Sequence, residues 1–158
     1  MPIDVLPGAE RDIEQLEATD PDALAAVLTF LDEAESDSQF EQKLTTVGDV
    51  QFEAVRVSIK RWARVQRTSN LLRVRILDTP ATVYRVIYGY DWRRRRIGIL
   101  AIVHKDHCNY DPQSELSRRI LDDWNVAPNP VRTSCGISIS VNRWSPRRTR
   151  IETLAKGL

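Results

Sequence analysis

A short stretch at residues 104–110 contains the ionisable side chains best suited to acid–base chemistry in this sequence. His104 and His107 are its only histidines, and Lys105 and Tyr110 lie beside them. Imidazole gains and loses a proton near neutral pH, which suits it to proton transfer. The stretch predicts a site for proton transfer. A histidine at the end of an apolar strand and a tyrosine before a helix are also common structural residues, so both interpretations stay open.

Basic residues outside this stretch are predicted to bind a polyanion without reacting with it. Contacts between cations and phosphates give affinity that is salt-sensitive and independent of sequence, and aromatic rings stack on single-stranded bases. One basic run surrounds Trp62, and a second, residues 93–96, follows Trp92 at a predicted hairpin tip. Solvated surface with Trp62 and Trp92 packed beneath it would give the same pattern. The residues predicted to bind this polyanion are Lys60, Arg61, Trp62, Arg64, Arg67, Arg73 and Arg75.

Charge is divided between the two parts of the chain, although the net charge is only +1. Residues 1–53 carry 14 acids against two bases, whereas residues 54–158 carry 21 bases against eight acids. Such segregation favours a basic surface for a polyanion. Two oppositely charged halves that attract one another would also explain it. In a self-masking version, the acidic helices lie over the basic face.

Length and composition limit the class of protein. A chain of 158 residues suits one domain with accessory segments and a real core. Two cysteines without CxxC spacing fit a reducing compartment and make a zinc site improbable. No apolar run approaches the ~20 residues of a membrane helix, and the acidic N-terminus lacks the positive charge of a signal peptide. We therefore expect a cytoplasmic protein that needs no metal, cofactor or membrane.

The elements that position these residues change character near residue 50. Asp20 and Pro21 predict a helix start, and the apolar residues that follow have the 3–4 spacing of one buried stripe. Shorter helices are predicted around residues 13–16 and 40–47. After residue 50 the period becomes two. Residues 52–59, 72–76, 83–90 and 97–104 are then predicted strands, the last three forming an antiparallel meander, with residues 60–69 a loop or short helix.

A helix and an extension complete the chain. Asp111 and Pro112 predict a helix start, and Leu116, Ile120 and Trp124 share one face of the helix. Prolines at 128 and 130 end it. Residues 131–144 alternate like an added strand or hairpin, and residues 147–158 suit a short basic helix or a loose tail.

Several segments together resemble the core of RelE/ParE-family toxins. They are LRVRI at 72–76, YRVIY at 84–88, ILAIVHK at 99–105, NYD at 109–111 and RIL at 119–121. The resemblance covers roughly residues 50–124, with the helix at 20–36 as the usual preceding element. It implies an α+β fold, in which N-terminal helices pack on a small antiparallel sheet with a helix after the last core strand. We expect a toxin-like domain at 1–124, with acidic helices at 8–48 and the sheet and last helix at 50–124. A basic C-terminal extension at 125–158 is expected to pack on it.

The resemblance also implies a function and its residues. RelE-type members cleave messenger RNA, often on the ribosome, and are neutralised by an antitoxin protein. By resemblance, Arg85 matches a catalytic phosphate-binding arginine, Tyr110 a residue for proton transfer or base stacking, and Lys105 a strand-end cation. A structural Arg85 paired with a carboxylate such as Asp78 is the alternative. The nuclease mechanism requires Arg85 and residues 104–110 to converge in one basic pocket.

One position departs from the family pattern and keeps other functions open. Asp106 stands where the best-studied RelE-like arrangement has an arginine, and a carboxylate repels phosphate. His104 or His107 could replace that arginine. We therefore predict a metal-independent RNA endonuclease of a type II toxin–antitoxin pair. The alternatives are a non-catalytic nucleic-acid- or ribosome-binding protein with this fold, and a ParE-like inhibitor of DNA gyrase.

Overall fold

The computed structural model describes residues 3–62 and 70–126. Within these residues the chain forms ten main helices and strands. The first half contains β1 Ile3–Val5, α1 Pro7–Thr19, α2 Pro21–Ser36, α3 Phe40–Thr45 and β2 Gly48–Gln51. The second contains β3 Arg56–Arg61, β4 Leu71–Ile76, β5 Tyr84–Asp91, β6 Arg96–His104 and α4 Glu115–Val126. Short 3-10 helices at Pro80–Val83 and Lys105–His107 flank β5 and β6.

The predicted α+β fold is confirmed. The strands form one sheet in the order β1-β6-β5-β4-β3-β2, in which β1 is parallel to β6 and all other neighbours are antiparallel. The helix start at Asp20 is also confirmed, because its Oδ1 accepts a hydrogen bond from the Ala23 N–H at 3.1 Å. None of the described helices has the length and hydropathy needed to cross a membrane.

The two faces of the sheet have different coverings. Helices α1–α3 pack on the face that carries Val57, Val74 and Val86, and together they form the larger core. Helix α4 covers the other face over β5 and β6, where Ile120 is buried. The rest of this second face, over β3 and β4, carries polar side chains. The acidic helices therefore lie opposite this polar face, and the self-masking arrangement is wrong.

Two glycines allow α4 to approach the sheet closely. A Cβ atom added at Gly89 would lie 2.8 Å from atoms of the Trp124 ring, and one at Gly98 would lie 3.1 Å from it. Asp12 of α1 fixes α4 from the side through a two-fold contact with Arg119, at 3.1 and 2.8 Å. The same carboxylate accepts the Ile102 N–H at 2.9 Å. Helix α4 is thereby held at a defined place beside the polar face.

A bulge in β6 decides which of its residues face α1–α3. Ile87 pairs with Ala101 and Tyr88 with Ile99, so Leu100 is the extra residue. Ile99 before the bulge and Ile102 after it both join the larger core. Leu100 and Ala101 join the α4 core instead.

Some sequence predictions need correction or fall outside the described residues. The helix start at Asp111 is wrong, because α4 begins at Glu115 and the Ser114 hydroxyl accepts the Ser117 N–H at 3.2 Å. Phe52 and Val55 lie in the turn between β2 and β3 instead of a strand, and the Phe52 N–H donates to the Val55 carbonyl oxygen across it. The predicted strand or hairpin at 131–144 and the rest of the extension lie outside the described residues, apart from its first two positions in α4.

Candidate nucleic-acid interface

Five polar side chains from three adjacent strands line an open depression beside α4. They are Ser58 and Lys60 from β3, Arg73 and Arg75 from β4, and Arg85 from β5, around a space of about 300 Å³ that is open to solvent. Successive strand residues point to opposite faces, so the apolar residues between them enter the larger core. We call Lys60, Arg73, Arg75 and Arg85 the basic face.

The strand register places like charges of the basic face side by side. Lys60 lies directly opposite Arg73, and Ser58 lies opposite Arg75. Arg75 and Arg85 line the same depression from the neighbouring strands β4 and β5. Like charges directly opposite each other destabilise a sheet. The basic face therefore has a cost in stability that a bound anion would relieve.

No carboxylate neutralises the basic face within residues 3–62 and 70–126. The ion pairs of that part of the chain all involve other cations. Asp78, the alternative partner considered for Arg85, contacts Arg56 instead, at 2.8 Å. Arg85 Nη1 donates to the carbonyl oxygens of Thr82 and Tyr84, both at 2.9 Å. Arg85 is therefore held by backbone at the start of β5, and no carboxylate of the described residues compensates its charge.

The hairpin tip after β5 is an ordinary basic surface and contrasts with the basic face. Of its four arginines, three contact carboxylates: Arg94 contacts Asp91 at 3.8 Å, Arg95 contacts Glu41 at 2.8 Å, and Arg96 contacts Asp4 at 3.1 Å. The fourth, Arg93, lies over the Trp92 ring at 5.2 Å, and that ring is 61% exposed. This second basic run is largely neutralised, which agrees with a structural role.

Tyr110 lies at the border between the basic face and α4. Arg73 Nη1 donates a hydrogen bond to the Tyr110 hydroxyl, and the Arg73 guanidinium carbon lies 4.6 Å from the centre of its ring. Burial, with a further contribution from Cys108, raises the pKa of Tyr110 above its ordinary value, and the Arg73 charge only partly opposes this. The hydroxyl thus keeps its proton at neutral pH and is unsuited to act as a general base.

Trp62 is placed where it cannot stack on a base. Its side chain is 1% exposed and packs with Leu71 and Ile87 in the α4 core. The Tyr110 ring meets it edge-on, with ring centres 5.4 Å apart. This placement does not support the predicted stacking role, because no ring face is open to solvent.

The histidines are separated from the basic face. The His104 ring contacts Tyr84 edge-on, with ring centres 5.4 Å apart, and the Tyr84 hydroxyl donates to Asp20, the residue before α2, at 3.3 Å. Tyr84 and Arg85 are consecutive strand residues, so they point to opposite faces. His104 therefore lies on the helix side, where its Nδ1 accepts the Asp106 N–H at 3.2 Å.

The remaining predicted site residues are exposed. His107 lies 5.9 Å from His104, ring centre to ring centre, and Lys105 is exposed in the same turn. Within the described part of the chain, no hydrogen bond or ring contact links either residue to the basic face. The structure thus brings Tyr110, through Arg73, to Arg85 and its neighbours, but it does not bring His104 there.

Three further outcomes concern residues near the basic face. Arg61 is exposed but alternates with Lys60, so it points to the other side of β3. Arg64 and Arg67 lie outside the described residues. The sequence prediction missed Ser58, which lines the depression. Only its position opposite Arg75 marks it, and a single sequence does not reveal a strand register.

The arrangement as a whole suits binding of a phosphodiester backbone. Arginine donates two parallel hydrogen bonds to phosphate oxygens, and four cations on one face can contact successive phosphates. No protein-family model, curated protein or solved structure matches this chain. Function is therefore inferred from the basic face and from the resemblance in its strand sequences.

Proposed function

We propose that this protein is a RelE-type RNA endonuclease, the toxin of a type II toxin–antitoxin pair that cuts messenger RNA in the cytoplasm. The observation that carries the proposal is the basic face, four cations without a carboxylate partner in the described residues. The resemblance adds Arg85 and Tyr110 as matched site residues, and it adds the ribosome and an antitoxin protein as expected partners.

The reaction needs no external nucleophile, because RNA carries its own. The 2′-hydroxyl oxygen attacks the adjacent phosphorus and loses its proton, while the bond from phosphorus to the 5′ oxygen breaks and that oxygen gains a proton. The products are a 2′,3′-cyclic phosphate and a 5′-hydroxyl. Arg85 and Arg73 would stabilise the extra negative charge on the phosphate in the transition state, and each well-placed donor of this kind is worth roughly 10²–10³-fold.

A second candidate is a non-catalytic RNA-binding protein with this fold. It is favoured by the position of His104, whose ring contacts Tyr84 on the opposite side of the sheet. It is also favoured by Tyr110, whose raised pKa disfavours the phenolate that a general base requires. Under this candidate the basic face binds RNA and leaves it intact.

Purified protein tested on RNA and DNA of the same sequence distinguishes these candidates. We expect cleavage of RNA with 2′,3′-cyclic phosphate ends, in free solution or on translating ribosomes, and none of DNA, which lacks the 2′-hydroxyl. The matched variants are Arg85→Ala on the basic face and Arg94→Ala at the neutralised hairpin tip. Only the first should abolish cleavage.

Each other outcome has a defined meaning. RNA that is bound but stays intact, with and without ribosomes, would replace the endonuclease by the non-catalytic candidate. Intact messages with broken chromosomal DNA after expression in bacteria would indicate gyrase inhibition. Absence of any RNA binding would reject both RNA proposals.

A further inference from the structure

Arg73, Tyr110 and Trp62 form a three-membered stack at the border of the basic face. Trp62 is buried and supports Tyr110 edge-on, with ring centres 5.4 Å apart. Arg73 lies over the Tyr110 ring with its guanidinium carbon 4.6 Å from the ring centre, and it also donates a hydrogen bond to the hydroxyl. The outer member of the stack is thus the cation, and the tyrosine lies between it and the core.

This stack holds Arg73 in place although a like charge lies directly beside it. Lys60 lies directly opposite Arg73 and repels it, and no carboxylate of the described residues holds it in place. The electron-rich face of an aromatic ring attracts a guanidinium without neutralising its charge. Tyr110 therefore fixes the position of Arg73 and leaves its charge available to an anion.

The stack also limits the aromatic surface beside the basic face. Arg73 lies over one face of the partly buried Tyr110 ring, and Trp62, the other ring bordering the basic face within residues 3–62 and 70–126, is 1% exposed. Base stacking needs an open ring face. The described residues that line the depression are four cations and a serine, which are suited to phosphate and not to the flat surface of a base.

We propose that Tyr110 is a positioning residue that holds Arg73 in the basic face, so that this face binds the phosphodiester backbone without preference for the base. The inference rests on the proposed RNA-binding function and deepens it. It gives Tyr110 a role that acts through Arg73, distinct from the base stacking and proton transfer that the family resemblance implies.

A double-mutant cycle on inorganic polyphosphate, which has no bases, tests the positioning role. Calorimetry would compare the wild type with Arg73→Ala, Tyr110→Leu and the double variant. We expect Tyr110→Leu to weaken binding by roughly 2- to 30-fold, the range that a cation–π contact supports. In the Arg73→Ala background, the same change should have no further effect. Equal losses in both backgrounds would overturn the inference.

Two more variants keep the test decisive if Tyr110→Leu folds poorly. Tyr110→Phe retains the ring, so it should bind polyphosphate nearly as well as the wild type, and it too should have no effect once Arg73 is alanine. Tyr90→Phe is the matched control, because the Tyr90 hydroxyl bonds to Glu41 on the helix side. A loss with Tyr110→Phe that persists in the Arg73→Ala background would assign the hydroxyl a role of its own and contradict the inference.

Base preference is measured with single-stranded oligonucleotides of uridine, adenosine or cytidine. We expect affinities that agree within about threefold, as for sequence-independent phosphate contacts. A stronger preference that disappears in Tyr110→Leu would show that the ring stacks on a base, and it would overturn the inference. Failure of the wild type to cut RNA would reject the endonuclease alone, because the polyphosphate cycle measures only the coupling of Arg73 and Tyr110.

Discussion

Lys60 and Arg73 lie directly opposite each other on β3 and β4. Neither contacts a carboxylate within the described residues. Other cations do, among them Lys43, Arg94, Arg95 and Arg96. Like charges at directly opposite positions weaken a sheet. Two like charges held side by side, with no carboxylate partner among the described residues, favour a binding surface for a polyanion.

Removal of one of these charges should separate stability from binding. Lys60→Thr relieves the repulsion at Arg73 and introduces a residue that favours strands. We expect the free energy of unfolding in urea to stay constant or rise by about 0.2–1 kcal/mol, while RNA affinity falls. Lys43→Thr is the control. Lys43 pairs with Asp37 at 2.5 Å, so its loss removes an attraction instead of a repulsion. A lower free energy of unfolding for Lys60→Thr would contradict the assigned repulsion.

The salt dependence of RNA binding should report the cations of the basic face. Each phosphate contact to single-stranded RNA contributes about −0.7 to the slope of log affinity against log salt concentration. We expect Arg75→Gln to reduce the magnitude of that slope by about this amount, and Arg94→Gln at the hairpin tip to leave it unchanged. Equal slopes for the wild type and Arg75→Gln would remove Arg75 from the contact surface.

Arg85→Ala should abolish cleavage and toxicity without unfolding the protein. Within the described residues, the hydrogen bonds of the guanidinium go only to the backbone carbonyls of residues 82 and 84, so its loss costs the fold little. We expect bacterial growth to continue on expression, with a thermal melting curve close to that of the wild type. Full toxicity in a folded Arg85→Ala protein would exclude Arg85 from the site.

Asp12 is expected to stabilise the packing of α4 beside the site and to take no part in the reaction. Its carboxylate joins Arg119 of α4 to the Ile102 N–H of β6. Asp12→Ala should lower the free energy of unfolding by about 2–3 kcal/mol, because it leaves partly buried donors without an acceptor. Glu14→Ala, an exposed position on the same helix, should change it by less than about 0.5 kcal/mol. Denaturant titration of both variants measures the difference.

The predictable part of the fold depended on local periodicity. Arg73 and Arg75 alternate with Leu72, Val74 and Ile76, so the strand sequence alone places both arginines on the face away from the core. The helix start at Asp20 was equally visible, since an aspartate before a proline satisfies the first free N–H groups of a helix. The three-residue strand β1 was not visible, because its pairing partner Ile97–Ile99 lies some 90 residues away.

The sequence by itself determined that the protein has an α+β fold and that cations collect in its second part, because alternation and charge are properties of neighbouring residues. Only the tertiary structure decided that Lys60 lies opposite Arg73, that Tyr110 lies under Arg73 and that Trp62 is buried. It also decided that His104 lies on the opposite side from Arg85. Each of these depends on strand register and on the position of α4 on the sheet. Both are set by hydrogen bonds and packing between residues far apart in the chain.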